Sequence, residues 1–148
     1  MHVEKVVESL CRKYGTRDPY DIANCRGIRV LHLPLGGIKG YYSKCYRQKI
    51  IHINNDFSLE DQRFTCAHEL GHAILHPNSN TPFLITCTLY PIARFEKEAN
   101  YFAVDLLYPD ETMEEYIQFS VPEIAVCLNL DEKLVEYRLR KLPRNVLD

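Results

Sequence analysis

The sequence predicts an α+β fold in which several helices pack with a small, largely antiparallel three-stranded sheet. Three short runs rich in β-branched and aromatic residues, at 28–33, 39–46 and 49–54, follow one another with turn-like residues between them. Before and after these runs, apolar residues recur at intervals of three and four, the spacing of amphipathic helices. A chain of 148 residues suits one domain, so we expect a single domain over 1–148.

Two helices are predicted ahead of the sheet. Apolar residues at helical spacing indicate a first helix over 3–14, and Gly15 is suited to end it. Asp18 and Pro19 supply an acidic N-cap and a proline at the first helical position. A second, short helix is therefore expected up to about Cys25.

The central part of the chain contains the sheet and a longer helix. The middle strand, 39–46, alternates polar and apolar residues, which is typical of an edge strand. A helix then begins after Ser58, which can form a loose capping box with Asp61, and it ends before Pro77. Beyond it, the β-branched stretch 83–89 predicts an extended segment.

The last third of the chain predicts four more helices, separated by prolines and turns. A long amphipathic helix is expected between Pro91 and Pro109. Two short helices follow near 110–118 and 121–128, and a final one covers 131–141.

Composition excludes several classes of protein. The 18 basic and 20 acidic side chains leave a net charge of −2 without a dominant basic patch, so direct nucleic-acid binding is not expected. No apolar run approaches the roughly 18 residues of a membrane span, and the N-terminus lacks a secretory pattern. The six cysteines are widely spaced without a CxxC pair, which indicates free thiols. We therefore expect a soluble, cytoplasmic protein.

The strongest chemical signal is an HExxH motif at His68, Glu69 and His72. Residues four apart on a helix are neighbours on one face, so both imidazoles can reach one metal ion. Glu69 borders the same face and is suited to act as a general base that takes a proton from water polarised by the metal. Apolar flanks indicate that this helix is buried, and a metal would explain polar side chains there.

Such a site needs a third ligand, and the elongated HExxHxxGxxH form does not supply it. That form requires glycine and histidine where this chain has Leu75 and Asn78. His76 continues the row of histidines, but it is displaced by about 12 Å along the helix axis from His68. We interpret His76 as a helix C-terminal residue favoured by the helix dipole.

A carboxylate from the later long helix is the better candidate for the third ligand. Glu96 has Asn100 four residues on, on the same face, so Glu96 could reach the metal while Asn100 fixes the tautomer of a ligand histidine. Glu98 points roughly 160° away from the face of Asn100 and is interpreted as a solvated side chain. Glu98 remains the alternative third ligand.

The segments QRFTCAHELGHAILH (62–76) and FEKEANYFAVDLLYP (95–109) resemble the ImmA/IrrE family of metallopeptidases. The resemblance covers most of the chain and implies a compact zincin-like fold that binds one Zn²⁺ ion. Glu69 matches the family's catalytic base, and Asn100 matches a position that supports the metal ligands. The ligands themselves match at three positions: His68, His72 and Glu96.

The resemblance also implies a function. Members of the family commonly cleave a helix-turn-helix repressor encoded on a phage or mobile element, which relieves repression. By this analogy the chain is expected to be a zinc-dependent endopeptidase whose partner is such a repressor. An extended substrate would add a strand along 39–46, where Tyr41 or Tyr42 could stabilise the oxyanion if they are not simply packed in the core.

Two other functions stay open. One is a non-catalytic module that binds a repressor or other regulator, with a structural zinc closed by a fourth ligand such as Cys66 or Cys87. The other is a DNA-binding regulator, because 121–142 has the rhythm of a helix-turn-helix, although it lacks a basic surface. The oligomeric state is not predicted.

Overall fold

The structure, a computed structural model, describes residues 2–77 and 92–143. The extended segment predicted at 83–89 lies outside these residues. The chain divides into two compact units, one ending at Leu107 and the other beginning at Tyr108.

The first unit is an α+β unit with four helices and three strands among its described residues. Its elements, in chain order, are α1 (Val3–Tyr14), α2 (Pro19–Cys25), β1 (Ile28–Leu33), β2 (Gly40–Cys45), β3 (Gln48–Asn54), α3 (Leu59–Leu75) and α4 (Ile92–Leu107).

The ends of the first helices confirm the sequence predictions. Gly15 adopts φ +67°, a left-handed conformation, and its N–H donates to the carbonyl oxygen of Cys11 at the end of α1. The Asp18 carboxylate accepts from the N–H of Tyr20 at 2.8 Å and so caps α2. Ser58 likewise accepts from the N–H of Asp61 at 3.1 Å at the start of α3.

The sheet is mixed, with the strand order β1-β3-β2. β2 pairs antiparallel with β3, but β1 pairs parallel with β3, so the prediction of a largely antiparallel sheet is wrong for one of the two pairs. The reason is the strand order: the chain reverses direction twice, and β1 lies beside β3 rather than beside β2. Within residues 2–77 and 92–143, β2 pairs with β3 alone, so the middle strand lies at an edge of the described sheet, as predicted.

One buried side chain holds the connection that crosses from β1 to β2. Asn54, at the end of β3, is fully buried, and its amide nitrogen donates to the carbonyl oxygens of Gly36 at 2.9 Å and Ile38 at 2.8 Å. These bonds give the buried amide its hydrogen-bond partners and tie the exposed connecting loop to the end of β3. The asparagine therefore explains how a short loop can cross the end of the central strand.

The core of the first unit lies between the sheet and the helices. Both β3 and β2 turn apolar side chains toward α3, and α3 in turn packs against α4. The start of β2 approaches α3 closely, because a Cβ on Gly40 would lie 2.6 Å from Cγ2 of Thr65 and 2.5 Å from the carbonyl oxygen of His52. The largest fully buried apolar side chains of this core are Tyr42, Phe102, Ile22, Ile51, Ile53 and Leu70.

The second unit is helical and has its own small core. It contains α5 (Asp110–Glu114), α6 (Val121–Leu128) and α7 (Glu132–Arg140), so the first of these helices is shorter than the predicted 110–118. Arg138 is buried, and its guanidinium donates to the carbonyl oxygen of Tyr108 at 2.7 Å and to Asp110. The apolar core consists of Met113, Ile124, Ala125, Leu128, Val135 and Leu142.

Across residues 2–77 and 92–143, no helix combines the length and the apolar composition that a membrane span requires.

Candidate metal centre

Helix α3 carries three candidate metal-site side chains on a buried face. Glu69 is 3% exposed and His72 is 1% exposed, while the side chain of His68 is 14% exposed. One possible ligand atom from each of the three residues lies within 4.8 Å of the others. Burial of two imidazoles and a carboxylate on one helix is costly unless they are paired or bind a metal.

Helix α4 adds the carboxylate of Glu96 to this group. Its Oε1 lies 2.8 Å from Nε2 of His72, and its Oε2 lies 3.0 Å from Nε2 of His68. The structure therefore brings together the two histidines and the carboxylate that the sequence pointed to. Glu98 is not part of this group, since its carboxylate contacts His76 instead.

The close approach of α3 and α4 depends on Gly71. A Cβ built at Gly71 would lie 3.0 Å from Cβ of Phe102 and 3.1 Å from its ring. The absence of a side chain at this position lets α4 pack directly against the motif helix. On α4, Asn100 lies about half a turn and Glu96 a little under two turns before Phe102, so this contact sets how near they come to the histidines.

Asn100 determines which nitrogen of His68 carries its proton. The amide oxygen of Asn100 lies 2.7 Å from Nδ1 of His68. Because this oxygen can only accept, Nδ1 of His68 donates. A neutral His68 therefore has its lone pair on Nε2, the atom that faces Glu96.

The electrostatics of the centre favour an ionised Glu96. Burial alone raises the pKa of Glu96, but the imidazoles of His68 and His72 beside its carboxylate outweigh burial, and the net shift of its pKa is downward. For His72, burial has the largest effect and lowers the imidazole pKa. A carboxylate thus faces the Nε2 atoms of two imidazoles at 3.0 Å and 2.8 Å.

This arrangement fits a divalent metal. Nε2 of His68 and a carboxylate oxygen of Glu96 attract each other only when a positive charge, either a proton or a metal ion, lies between them. Two imidazoles and one carboxylate are a donor set that zinc and similar metals accept. The residues present are therefore compatible with the metal that an HExxH motif implies.

Glu69 has a different environment from Glu96. Its Oε2 is buried and has no hydrogen-bond partner among the described residues. Burial raises the pKa of Glu69 to about 7, although the nearby His68 imidazole acts in the opposite direction. Glu69 is thus a buried carboxylate with one oxygen available to accept a proton.

Two residues near the centre make contacts that the sequence did not predict, although His76 does lie at the end of α3 as its C-cap. His76 was expected to be a helix-end residue favoured by the dipole, and Glu98 a solvated side chain. The solvated interpretation of Glu98 is wrong, because its side chain is only 13% exposed. His76 is 6% exposed and contacts both His72 and Glu98. His76 leaves helical geometry with φ −130° and ψ 59°, which ideal helix spacing could not predict.

Other candidates lie away from the centre. Tyr42 is fully buried in the core, and Tyr41 stacks on His52 with ring centroids 4.1 Å apart, so neither belongs to the described group of metal-type side chains. Cys66 is also fully buried in the core, and burial raises the pKa of its thiol, which makes a thiolate ligand unfavourable. Cys87 lies outside the described residues.

Comparisons with known proteins are consistent with this geometry. The family described as the IrrE N-terminal-like domain, a peptidase family, matches residues 23–140. An uncharacterized immunity region protein 2 of Bacillus phage phi105 is 38% identical over 139 residues, which are 92% of this chain and 88% of that protein. The metallopeptidase ImmA of Bacillus subtilis strain 168 is 33% identical over 146 residues, covering 95% of this chain and 85% of ImmA.

A solved structure shares the fold. A Mycobacterium tuberculosis transcriptional regulator superposes with a TM-score of 0.62 at 17% identity. The match covers 97% of this chain but only 48% of the regulator, so this chain spans about half of that protein's length. The family match, the phage relative and the bacterial relative together decide the assignment: the chain belongs to the ImmA/IrrE family of metallopeptidases.

Proposed function

We propose that this protein is a zinc-dependent endopeptidase in which His68, His72 and Glu96 hold one Zn²⁺ ion and Glu69 is the general base. The observation that carries the proposal is the convergence of two imidazole Nε2 atoms on one carboxylate, at 3.0 Å and 2.8 Å, across two helices. Family membership supports the class of reaction but not the individual roles.

Each residue has a distinct part in the proposed reaction. When bound, a zinc ion would act as a Lewis acid that polarises the scissile carbonyl and lowers the pKa of a water molecule. Glu69 would accept the proton of the attacking water at its unpaired Oε2 and pass it to the leaving amine. Asn100 would keep the proton of His68 on Nδ1 and the lone pair on Nε2.

The proposed substrate binds as an added strand. Among the described strands β2 lies at an edge, and close packing at Gly40 brings its start against α3 three residues before His68. An extended peptide pairing with the edge of β2 opposite β3 would have its backbone oriented by hydrogen bonds alongside the motif helix. This arrangement favours an endopeptidase that takes an extended segment of a protein.

The proposed substrate is a helix-turn-helix repressor of a phage or mobile element, cleaved in the cytoplasm to relieve repression. The description of the phi105 relative as an immunity region protein supports a role in phage immunity. The choice of a repressor rests on the family resemblance of the two motif segments.

A cleavage assay with matched variants tests the proposal. The purified zinc-loaded protein is incubated with a helix-turn-helix repressor encoded next to its gene, and products are identified by mass spectrometry. We expect cleavage by the wild type, none by Glu69→Gln, and wild-type cleavage by the exposed control Glu60→Gln on the same helix. Glu69→Gln that still cuts at the wild-type rate would disprove the general-base role.

The same assay addresses the non-catalytic alternative. If the wild type binds the repressor and zinc but no peptide bond is cut, the binding module becomes the better description. If neither zinc nor repressor binds, both versions of the proposal fail.

A further inference from the structure

We propose that His76 and Glu98 form a positioning pair that fixes the ring of His72, in the same way that Asn100 fixes His68. This inference rests on the proposed metal site and extends it beyond the residues in the HExxH motif. Neither residue would contact the metal or the substrate, so both are positioning residues and not ligands.

The pair forms a continuous hydrogen-bonded chain behind His72. Nδ1 of His76 lies 3.2 Å from Nδ1 of His72, on the side of the ring away from Glu96. Nε2 of His76 lies 2.9 Å from Oε2 of Glu98. Arg94 donates from Nε to the other carboxylate oxygen of Glu98 at 3.0 Å, which completes a chain from the buried ligand to the protein surface.

The direction of the hydrogen bonds follows from the acceptor at the end of the chain. The ionised carboxylate of Glu98 can only accept, so His76 donates from Nε2. A neutral His76 then has its lone pair on Nδ1, where it accepts the Nδ1–H of His72. His72 is left with a lone pair on Nε2, directed toward Glu96.

The position of His76 requires a local departure from helical structure. It is the residue after the last turn of α3, and its backbone has φ −130° and ψ 59°. The ring stacks on Phe95 of α4, with centroids 4.0 Å apart and an interplanar angle of 25°. This stacking holds His76 between the end of α3 and the start of α4, within reach of both His72 and Glu98.

A purely structural explanation does not account for the chemistry of the pair. Burying an imidazole and a carboxylate is costly, and an apolar pair would fill the same space without that cost. A carboxylate behind a ligand histidine raises the basicity of the ligand and orients its ring. Loss of such partners typically weakens metal binding by about 10- to 100-fold.

Zn²⁺ affinity, measured by competition with a chromophoric chelator, tests the pair. We expect His76→Phe, which keeps the stacking on Phe95, and Glu98→Ala to weaken Zn²⁺ binding about 10- to 100-fold. Glu98→Gln retains an acceptor oxygen for His76 and should recover most of the affinity. The exposed control Glu60→Gln should bind like the wild type.

Two further measurements separate positioning from stability. In the zinc-loaded wild type, the Nδ1–H proton of His72 should give a slowly exchanging NMR signal, and this signal should be lost or exchange rapidly in His76→Phe. Chemical denaturation of the metal-free proteins shows whether the same variants are merely less stable. Glu98→Ala provides the test if His76→Phe does not fold, because Glu98 lies closer to the surface.

The outcomes distinguish this inference from the proposed function. Wild-type Zn²⁺ affinity in both His76→Phe and Glu98→Ala would overturn the positioning role while leaving the metal site intact. No Zn²⁺ binding by the wild type, or unchanged binding by His68→Ala, would instead disprove the metal site on which the inference depends.

Discussion

The two histidines of the metal centre are held by different kinds of partner. His68 donates to the neutral amide oxygen of Asn100, and its side chain is 14% exposed. His72 is 1% exposed and contacts a second histidine that is paired with a carboxylate. The His68 side uses residues at regular helical spacing, whereas the His72 side uses a residue beyond the end of its helix.

This difference shows which partners of the two histidines can be predicted from the sequence. Glu96 and Asn100 are four apart on α4, so the sequence predicts that both face α3. Glu98 lies on another face of α4, and its role depends on His76 turning toward it after α3 ends. A pattern of spacing identifies partners on regular helices, but it fails where one partner has irregular backbone.

The largest expected effect concerns Glu96, because its carboxylate contacts both His68 and His72. Glu96→Ala should weaken Zn²⁺ binding by more than the roughly 10- to 100-fold expected for loss of an outer partner. The exposed neighbour Lys97→Ala is the matched control on the same helix. Metal analysis after dialysis checks this, and stoichiometric zinc in Glu96→Ala would mean that another side chain supplies the third ligand.

The next effect concerns the approach of the two helices. Gly71→Val places side-chain atoms where Phe102 already lies 3.0 Å from the Cβ position, so α4 should shift away from α3. Overpacking of this kind costs about 1–3 kcal/mol of unfolding free energy. Chemical denaturation measures this loss of stability. Zinc affinity should fall as well, because a shift of α4 moves Glu96 away from both histidines.

Gly37→Ala is the matched control for Gly71→Val. A Cβ at Gly37 has nothing within 4 Å, so this change should alter stability and zinc affinity little. Equal effects at the two glycines would show that the contact with Phe102 does not control the spacing of the helices.

A smaller effect should reduce stability without changing the metal centre. Arg17 donates to the carbonyl oxygens of Asp105 at 3.0 Å and Leu106 at 3.1 Å, in the last turn of α4. Arg17→Met should lower the free energy of unfolding by about 1.5 kcal/mol, the lower end of the range for hydrogen bonds made by a charged group. Zinc affinity should stay at the wild-type value, and a parallel loss of affinity would indicate that the centre responds to any weakening of α4.

The smallest expected effect comes from a substitution that gives His68 an anionic acceptor, as His72 has through His76. Asn100→Asp replaces the neutral acceptor of His68 with an anionic one, as Glu98 provides for His72 through His76. A charged acceptor strengthens a hydrogen bond by about 1 kcal/mol, so Zn²⁺ should bind about fivefold more tightly. Competition titration would measure the gain, and weaker binding would show that the neutral amide is required.

Much of the fold could be predicted because its signals are local. The end of α1 at Gly15 and the start of α2 at Asp18 follow from backbone conformation and capping at single residues. The edge position of β2 among the described strands follows from its alternating polarity. The parallel pairing of β1 with β3 has no local signal, because it depends on which strand lies in the centre of the sheet.

The sequence by itself determined the helix positions, the HExxH motif and the candidate carboxylate on a second helix, since these depend on the identity and spacing of residues along one element. Only the tertiary structure decided that Glu96 rather than Glu98 faces both histidines, and that His76 turns inward behind His72. The physical reason is that both outcomes depend on the contact between α3 and α4 at Gly71 and on the backbone after α3, which are set by packing between elements distant in the chain.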